Sequence, residues 1–283
     1  MKLKYILPIL FIALFSTACS SDDDNNDQPP VINEVEGLTK IQDFTNNNHT
    51  IELWSETGHF KTGYNDISVR IKDNTSNSFF ENFTINWMPV MEMPSMEHSC
   101  PKSTIEKAPG KNTVYQGYII YQMTNLDGSG WSLTLNYTID NVDYTVTDTI
   151  TVTQNYNQNV TTFKGSDDVK YVLALIEPQS PKIATNIMKV GLYKMENMMS
   201  FPIVEDYTIT LDPRMPDMGN HSSPNNTDLT YRSDGMYQGN LSLTMTGYWV
   251  LNLQLLDETN TVLKGEAVTL ENPQSSVYLE LEF

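Results

Sequence analysis

Residues 83–135 recur, in the same order and with small gaps, at 207–253. Phe83-Thr84-Ile85-Asn86-Trp87-Met88-Pro89-Val90-Met91 aligns with Tyr207-Thr208-Ile209-Thr210-Leu211-Asp212-Pro213-Arg214-Met215, and His98-Ser99-Cys100-Pro101 with His221-Ser222-Ser223-Pro224. Tyr115-Gln116-Gly117 then aligns with Tyr237-Gln238-Gly239, and Trp131-Ser132-Leu133-Thr134-Leu135 with Trp249-Val250-Leu251-Asn252-Leu253. Four blocks that keep their order mean one folding unit present twice. The 283 residues therefore read as two modest domains, expected over 36–160 and 165–283, with a polar seam near 155–168.

Each copy carries the period of strands. Short alternating runs rich in Thr, Ile, Val and Tyr, such as Ile67-Ser68-Val69-Arg70-Ile71 and the stretch 142–153, are separated by Asn, Asp and Gly clusters. No stretch has the apolar spacing of an amphipathic helix, so the fold class is all-β, in the form of two tandem sandwiches. Alternation assigns Tyr115, Gly117, Ile119, Tyr121 and Met123 to one core-facing side of a strand, with Tyr237, Gly239, Leu241, Leu243 and Met245 repeating it. Trp131, Leu133 and Leu135, with Trp249, Leu251 and Leu253, supply the opposite layer.

The chemistry concentrates in one segment of each copy. In the first, Met88, Met91, Met93 and Met96 stand beside His98, one of four histidines in the chain, and Cys100, one of two cysteines. In the second, Met215, Met218 and His221 repeat the pattern with fewer methionines, and Ser223 replaces the cysteine. Prolines at both ends and inside each segment argue against a helix or a central strand, so both are expected as stiffened surface loops at a sandwich end. Thioether sulfur and imidazole nitrogen are donors suited to Cu(I), and a Cys100 thiolate would strengthen the first set. Hard cations gain little from them. The expected metal set is thus Met91, Met93, Met96, His98 and Cys100, with a second set of Met215, Met218 and His221, and Met88, Met123 and Met245 as possible extra ligands. The competing expectation folds these methionines over the sandwich end as an apolar plug. Cys100 could instead be a redox-active surface thiol, and Lys194-Met195-Glu196-Asn197-Met198-Met199 a strand edge, a turn or an accessory thioether patch.

The order Pro-x-Met, a Met-rich stretch, His-Ser-x-Pro, Tyr-x-Gly, a strand ending in Met and a following Trp resembles the YtkA-like domains, related to the FixH family. The resemblance implies exported immunoglobulin-like sandwiches with Met/His loops and a role in metal handling, often of copper. It covers 83–135 and 207–253, and the second copy departs from it by its missing methionines.

The first residues read as an address. Lys2 and Lys4, an apolar run over 5–15 and the small residues Ser16, Thr17 and Ala18 precede Cys19, so 1–18 has the layout of a signal peptide and Cys19 resembles a lipoprotein lipidation site. The tract 19–35 opens with the acidic, polar run 20–30, which ends in Pro29-Pro30 and suits a solvated tether. It resembles the surface-export tag of bacteroidete lipoproteins, implying an outer-membrane lipoprotein exposed at the cell surface. The chain carries a formal charge of −18, and removing Lys2 and Lys4 with the leader takes it to −20. That charge repels phosphate backbones and excludes nucleic acid as a partner, and attachment to the membrane must be through acyl chains.

No nucleophile elbow, zincin, Walker or dinucleotide-binding pattern is present, so the sequence supports no enzyme. Asn125–Gly130, though glycine-rich, suits a turn. The sequence-level expectation is a lipid-anchored extracytoplasmic protein that captures or buffers copper and exchanges it with a donor or acceptor protein. The alternative, of a different class, is a non-catalytic adhesion or assembly module with the Met segment as an apolar contact. Glycan binding through Tyr and Trp faces rests on aromatic content alone.

Overall fold

The alternating runs form strands throughout. A computed structural model describes residues 33–126 and 128–283; the leader, Cys19 and the tether up to residue 32 lie outside the described residues. The first sandwich contains β1 (Thr39–Thr45), β2 (His49–Ser55), β3 (Phe60–Lys61), β4 (Gly63–Asp73), β5 (Thr84–Met93), β6 (Met96–His98), β7 (Glu106–Lys107), β8 (Tyr115–Tyr121), β9 (Gly130–Ile139), β10 (Val142–Ile150) and β11 (Val152–Thr153). The second contains β12 (Val160–Lys164), β13 (Lys170–Glu177), β14 (Thr185–Lys194), β15 (Thr208–Met215), β16 (His221–Ser222), β17 (Leu229–Tyr231), β18 (Tyr237–Ser242), β19 (Tyr248–Leu256), β20 (Val262–Lys264) and β21 (Val277–Glu282). Among the described residues the sole helical element is a 3-10 turn at Pro216–Met218, and no helix is long and apolar enough to cross a membrane.

The strand order is duplicated along with the sequence. In the first sandwich a sheet β1-β2-β4-β8-β7 faces a sheet β10-β9-β5-β6. Both inner faces meet in one core, in which Ile51, Leu53, Ile119 and Tyr121 pack against Trp87, Trp131, Leu133 and Leu135. The second sandwich repeats this as β12-β13-β14-β18-β17 and β16-β15-β19, with β20 and β21 sharing the outer edge of β19. Its two layers are additionally stitched together, because β17 pairs with both β18 and β15, whereas β7 pairs with β8.

The repeated Tyr-x-Gly has the same use in both copies. Tyr115 Oη donates to Glu81 O at 3.2 Å and accepts from Phe83 N at 3.3 Å, and Tyr237 Oη donates to Val204 O at 3.0 Å and accepts from Tyr207 N at 3.3 Å. These bonds tie the chain entering β5 or β15 to the opposite sheet. Gly117 and Gly239 sit where an added Cβ would fall 2.7 Å from Thr104 O and 2.5 Å from Thr227 O, so glycine is required for the close approach.

One expectation needs correction. The Met segments are not loops: Trp87 to Met93 continues β5, and with β6 it forms a hairpin turning at Pro94-Ser95. Proline is tolerated because β6 pairs with β5 only from Met91 on, leaving Pro89 on an open edge where a missing N–H breaks no ladder. Pro213 lies likewise between the stretches of β15 that pair with β17 and β16. The outer side of β8 is covered as well. Ile120, fully buried, and Tyr118 pack with Val172, Ala174 and Tyr193 of the second sandwich.

That contact makes Glu34–Phe283 one compact unit. Tyr193 Oη donates to Tyr118 Oη at 3.0 Å, and Ser99 N donates to Met198 O at 2.7 Å across the same seam. The polar stretch between the domains is fixed rather than free: Gln158 N donates to Glu280 Oε2 at 2.7 Å, and β12, which spans the gap between the two expected domains, is an edge strand of the second. Glu34 and Val35, at the end of the expected tether, are docked. Glu34 accepts from the backbone of Asn112 and Thr113 at 2.6 and 2.8 Å, and Val35 packs with Ala108 and Val114.

Candidate functional site

The β5–β6 hairpin puts its donors on one face. Met91 lies opposite His98 and Met93 opposite Met96, while Glu92 and Glu97 pair on the other face. Along that face burial falls from the core outward: Met91 is fully buried in the first core, Met93 is half-buried against it, and Met96 is exposed at the turn. Met91 is therefore a core residue, and the five expected ligands do not form one set.

Cys100 is a second correction. It is 1% exposed, and burial pushes its thiol well above the ordinary range. A surface redox role or thiolate ligation from this position is incompatible with that burial. Cys100 should react with a bulky aromatic disulfide reagent only as fast as the first sandwich unfolds, so addition of denaturant should raise the rate by orders of magnitude; prompt reaction of the native protein would contradict the placement.

The second segment separates its donors. Met215 pairs with His221 across β15 and β16, as Met91 pairs with His98, but Met215 is 4% exposed in the second core while Met218 and His221 face solvent. Met245 is half-buried against the same core, and Met88 is partly exposed on the outer face of β5, where its sulfur accepts from Ser99 Oγ at 3.7 Å. These residues do not converge.

The convergence that does occur lies between the sandwiches. A cleft of about 420 Å³ is lined by Met96, His98, Gln122 and Met123 from the first and by Phe163, Tyr171, Met195, Met198 and Phe201 from the second. Four thioethers and one imidazole thus face a single space. His98 Nδ1 lies 2.8 Å from Ser99 O, which places the ring proton on Nδ1 and leaves the Nε2 lone pair free. The ring is braced edge-on against Trp131 at 5.5 Å, and Trp131 Nε1 in turn donates to Met123 O at 2.9 Å. Met195 is anchored by its backbone N, which donates to Lys170 O at 2.8 Å, and Met198 by the bond from Ser99.

Other groups on the wall set its polarity. Lys164 and Lys170 contribute to it, and Lys164 is paired with Asp168 at 2.6 Å. The Gln122 Oε1 is buried and has no hydrogen-bond partner among the described residues. Among the described residues no three His, Cys, Asp or Glu side chains are grouped to hold a metal, and no carboxylate lines the cleft, whose donors are four thioethers, one imidazole and neutral oxygens such as Gln122 Oε1.

Met195 and Met198 were legible only as an unusual density of methionine outside the repeated blocks. Their part in the site depends on how the two sandwiches dock, which the repeat does not encode.

No family model matches the chain, and no curated protein matches it. Among solved structures, FdeC, an Escherichia coli adhesin, aligns with 84% of this chain at 11% identity and a TM-score of 0.27, and the chain spans 65% of that structure's length. A conserved domain protein from Bacillus anthracis aligns with 88% of this chain and 93% of its own at 10% identity and a TM-score of 0.32. At these values neither likeness bears on function.

Proposed function

We propose that this chain is a non-catalytic, extracytoplasmic capture protein that takes copper(I) as cargo in the cleft between its two sandwiches. The observation that carries this reading is the facing of Met96, His98, Met123, Met195 and Met198 into one space. Thioethers are neutral and polarisable, so they bind Cu(I) without the proton release that a thiolate site requires, and they leave hard cations in water. The reading replaces two loop sites by one composite site with donors from both domains. Anchoring through Cys19 to the outer membrane, with exchange to a donor or acceptor protein, belongs to the same reading, as does kinship with the YtkA-like domains.

The test is competition for Cu(I) against a chromophoric chelator under anaerobic conditions, using the chain that follows the leader with Cys19→Ser. His98→Gln, Met96→Leu and Met198→Leu should each weaken capture by about tenfold or more, equivalent to about 1.4 kcal/mol per lost donor. Met218→Leu and His221→Gln should leave it unchanged. Absence of binding at micromolar metal, or equal sensitivity to both sets of variants, would remove the proposal. If the protein instead acts as an adhesion or assembly module through this cleft, the leucine variants should hold their partner as well as the parent does.

A further inference from the structure

One wall of the cleft is positively charged. In β13 successive residues face opposite neighbours: Tyr171 and Leu173 belong to the core of the second sandwich, whereas Val172 and Ala174 pack against the first. Lys170 shares the phase of Val172, and the register of β12 with β13 sets Lys164 directly opposite it, on the side that lines the cleft. Like charges in a cross-strand pair destabilise a sheet. This pair occurs on a chain of net charge −18, none of whose carboxylates lines that wall. Lys164 has an exposed partner in Asp168 at 2.6 Å, but Lys170 has no ion-pair partner among the described residues.

Copper(I) held by thioethers and imidazole keeps its full positive charge, because each of those donors is neutral. Beside Lys170 the occupied cleft would hold two like charges partly withdrawn from water, which is costly unless an anion joins them. The donor set also lacks a thiolate: Cys100, which the sequence offered for that part, is 1% exposed within the first core. A bare ion, moreover, fills only a small part of about 420 Å³, a volume in the range of pockets for small organic molecules. Gln122 Oε1 lies buried on the wall with no hydrogen-bond partner among the described residues, so a donor on the occupant would satisfy it.

We infer that the cleft takes copper(I) already bonded to a small organic thiolate that bears a carboxylate and an N–H. The thiolate supplies the sulfur that Cys100 does not, the carboxylate meets Lys170, and the N–H faces Gln122 Oε1. The positive charges of copper and Lys170 are then matched by those of thiolate and carboxylate. On capture the metal keeps its bond to that thiolate and gains bonds from His98 Nε2 and the methionine sulfurs. A second thiolate on the incoming complex leaves with its electron pair, and copper stays in the +1 state. The inference rests on the copper reading above and specifies the form in which the cargo arrives.

N-acetylcysteine carries all three groups, and N-acetylcysteine amide differs from it only in having an uncharged amide in place of the carboxylate. Each, isotope-labelled, is equilibrated anaerobically with copper(I) and the Cys19→Ser chain that follows the leader, and equilibrium dialysis measures the metal and thiol that the protein retains. Copper(I) alone is dialysed alongside. The expected result is copper and N-acetylcysteine retained in equal amounts, with the amide held about tenfold more weakly. Lys170→Gln, at an exposed position, should erase that difference while still retaining copper, and Lys182→Gln, exposed and away from the cleft, should preserve it. Copper retained without the thiol, equal retention of acid and amide, or a difference that survives Lys170→Gln would overturn the inference and leave the copper reading standing. If neither copper alone nor either mixture is retained, the copper reading fails and this inference with it.

Discussion

Trp131→Ala should lower stability by about 3–5 kcal/mol and, in the same protein, weaken copper capture, whereas Trp249→Ala should do only the first. Each indole is almost wholly buried, and each donates its N–H to a methionine carbonyl, Met123 at 2.9 Å and Met245 at 3.2 Å. The packing cost is therefore matched between the copies. Their neighbours differ. Trp131 also touches Tyr121 at 4.9 Å and braces the edge of His98, so its removal frees two groups of the cleft, His98 and Met123. Trp249 braces no residue of that cleft. Urea unfolding gives the stability loss, and chelator competition well below the unfolding transition gives the affinity. Equal effects of both substitutions on capture would mean that the cleft is not held by the first sandwich in the way described.

Much of the core was readable because alternation reports directly on which face is buried. Tyr115, Ile119 and Tyr121 face inward as their phase requires, and so do Trp131, Leu133 and Leu135. The same rule puts Tyr118 and Ile120 on the opposite side, and there they face the second sandwich. Alternation distinguishes two faces of a strand; it does not say what covers the second. The methionine segments illustrate a different limit. Proline excludes a strand only where both edges are paired, and nothing local shows that the pairing of β5 with β6 begins at Met91, two residues beyond Pro89. Once that segment is a strand, its period sends Met91 into the core and Met96 out, and the apparent cluster comes apart. Met195 and Met198 complete the cleft through the docking of two copies, a contact between segments about a hundred residues apart.

Away from the cleft, Glu52→Ala should lower stability by about 3 kcal/mol, the size expected when one partner of a buried ion pair is removed. Glu52 is 6% exposed on the outer side of β2. It accepts from Arg70 Nε, from Lys40 Nζ at 2.9 Å and from Trp54 Nε1 at 3.2 Å. Arg70 is itself covered, lying 4.0 Å from the centroid of Phe79 and 5.0 Å from that of Trp54. Deleting the carboxylate leaves that guanidinium enclosed with no counter-charge, while Lys40 can turn to water or to Asp43. Burial by itself would raise the Glu52 carboxyl, but the bonds from Lys40 and Arg70 outweigh it and hold the group below its ordinary value of 4.5. A folded-state value below the unfolded one means stability that is fully present above about pH 4.5 and is lost as the pH falls through the folded value. The gap between parent and Glu52→Ala in urea midpoint should therefore be constant near neutrality and narrow in acid. Glu52→Gln, which keeps an acceptor but not the charge, should fall between the two. A gap that persists unchanged down to pH 3 would show that packing around Trp54, and not the charge on Glu52, holds Arg70 in place.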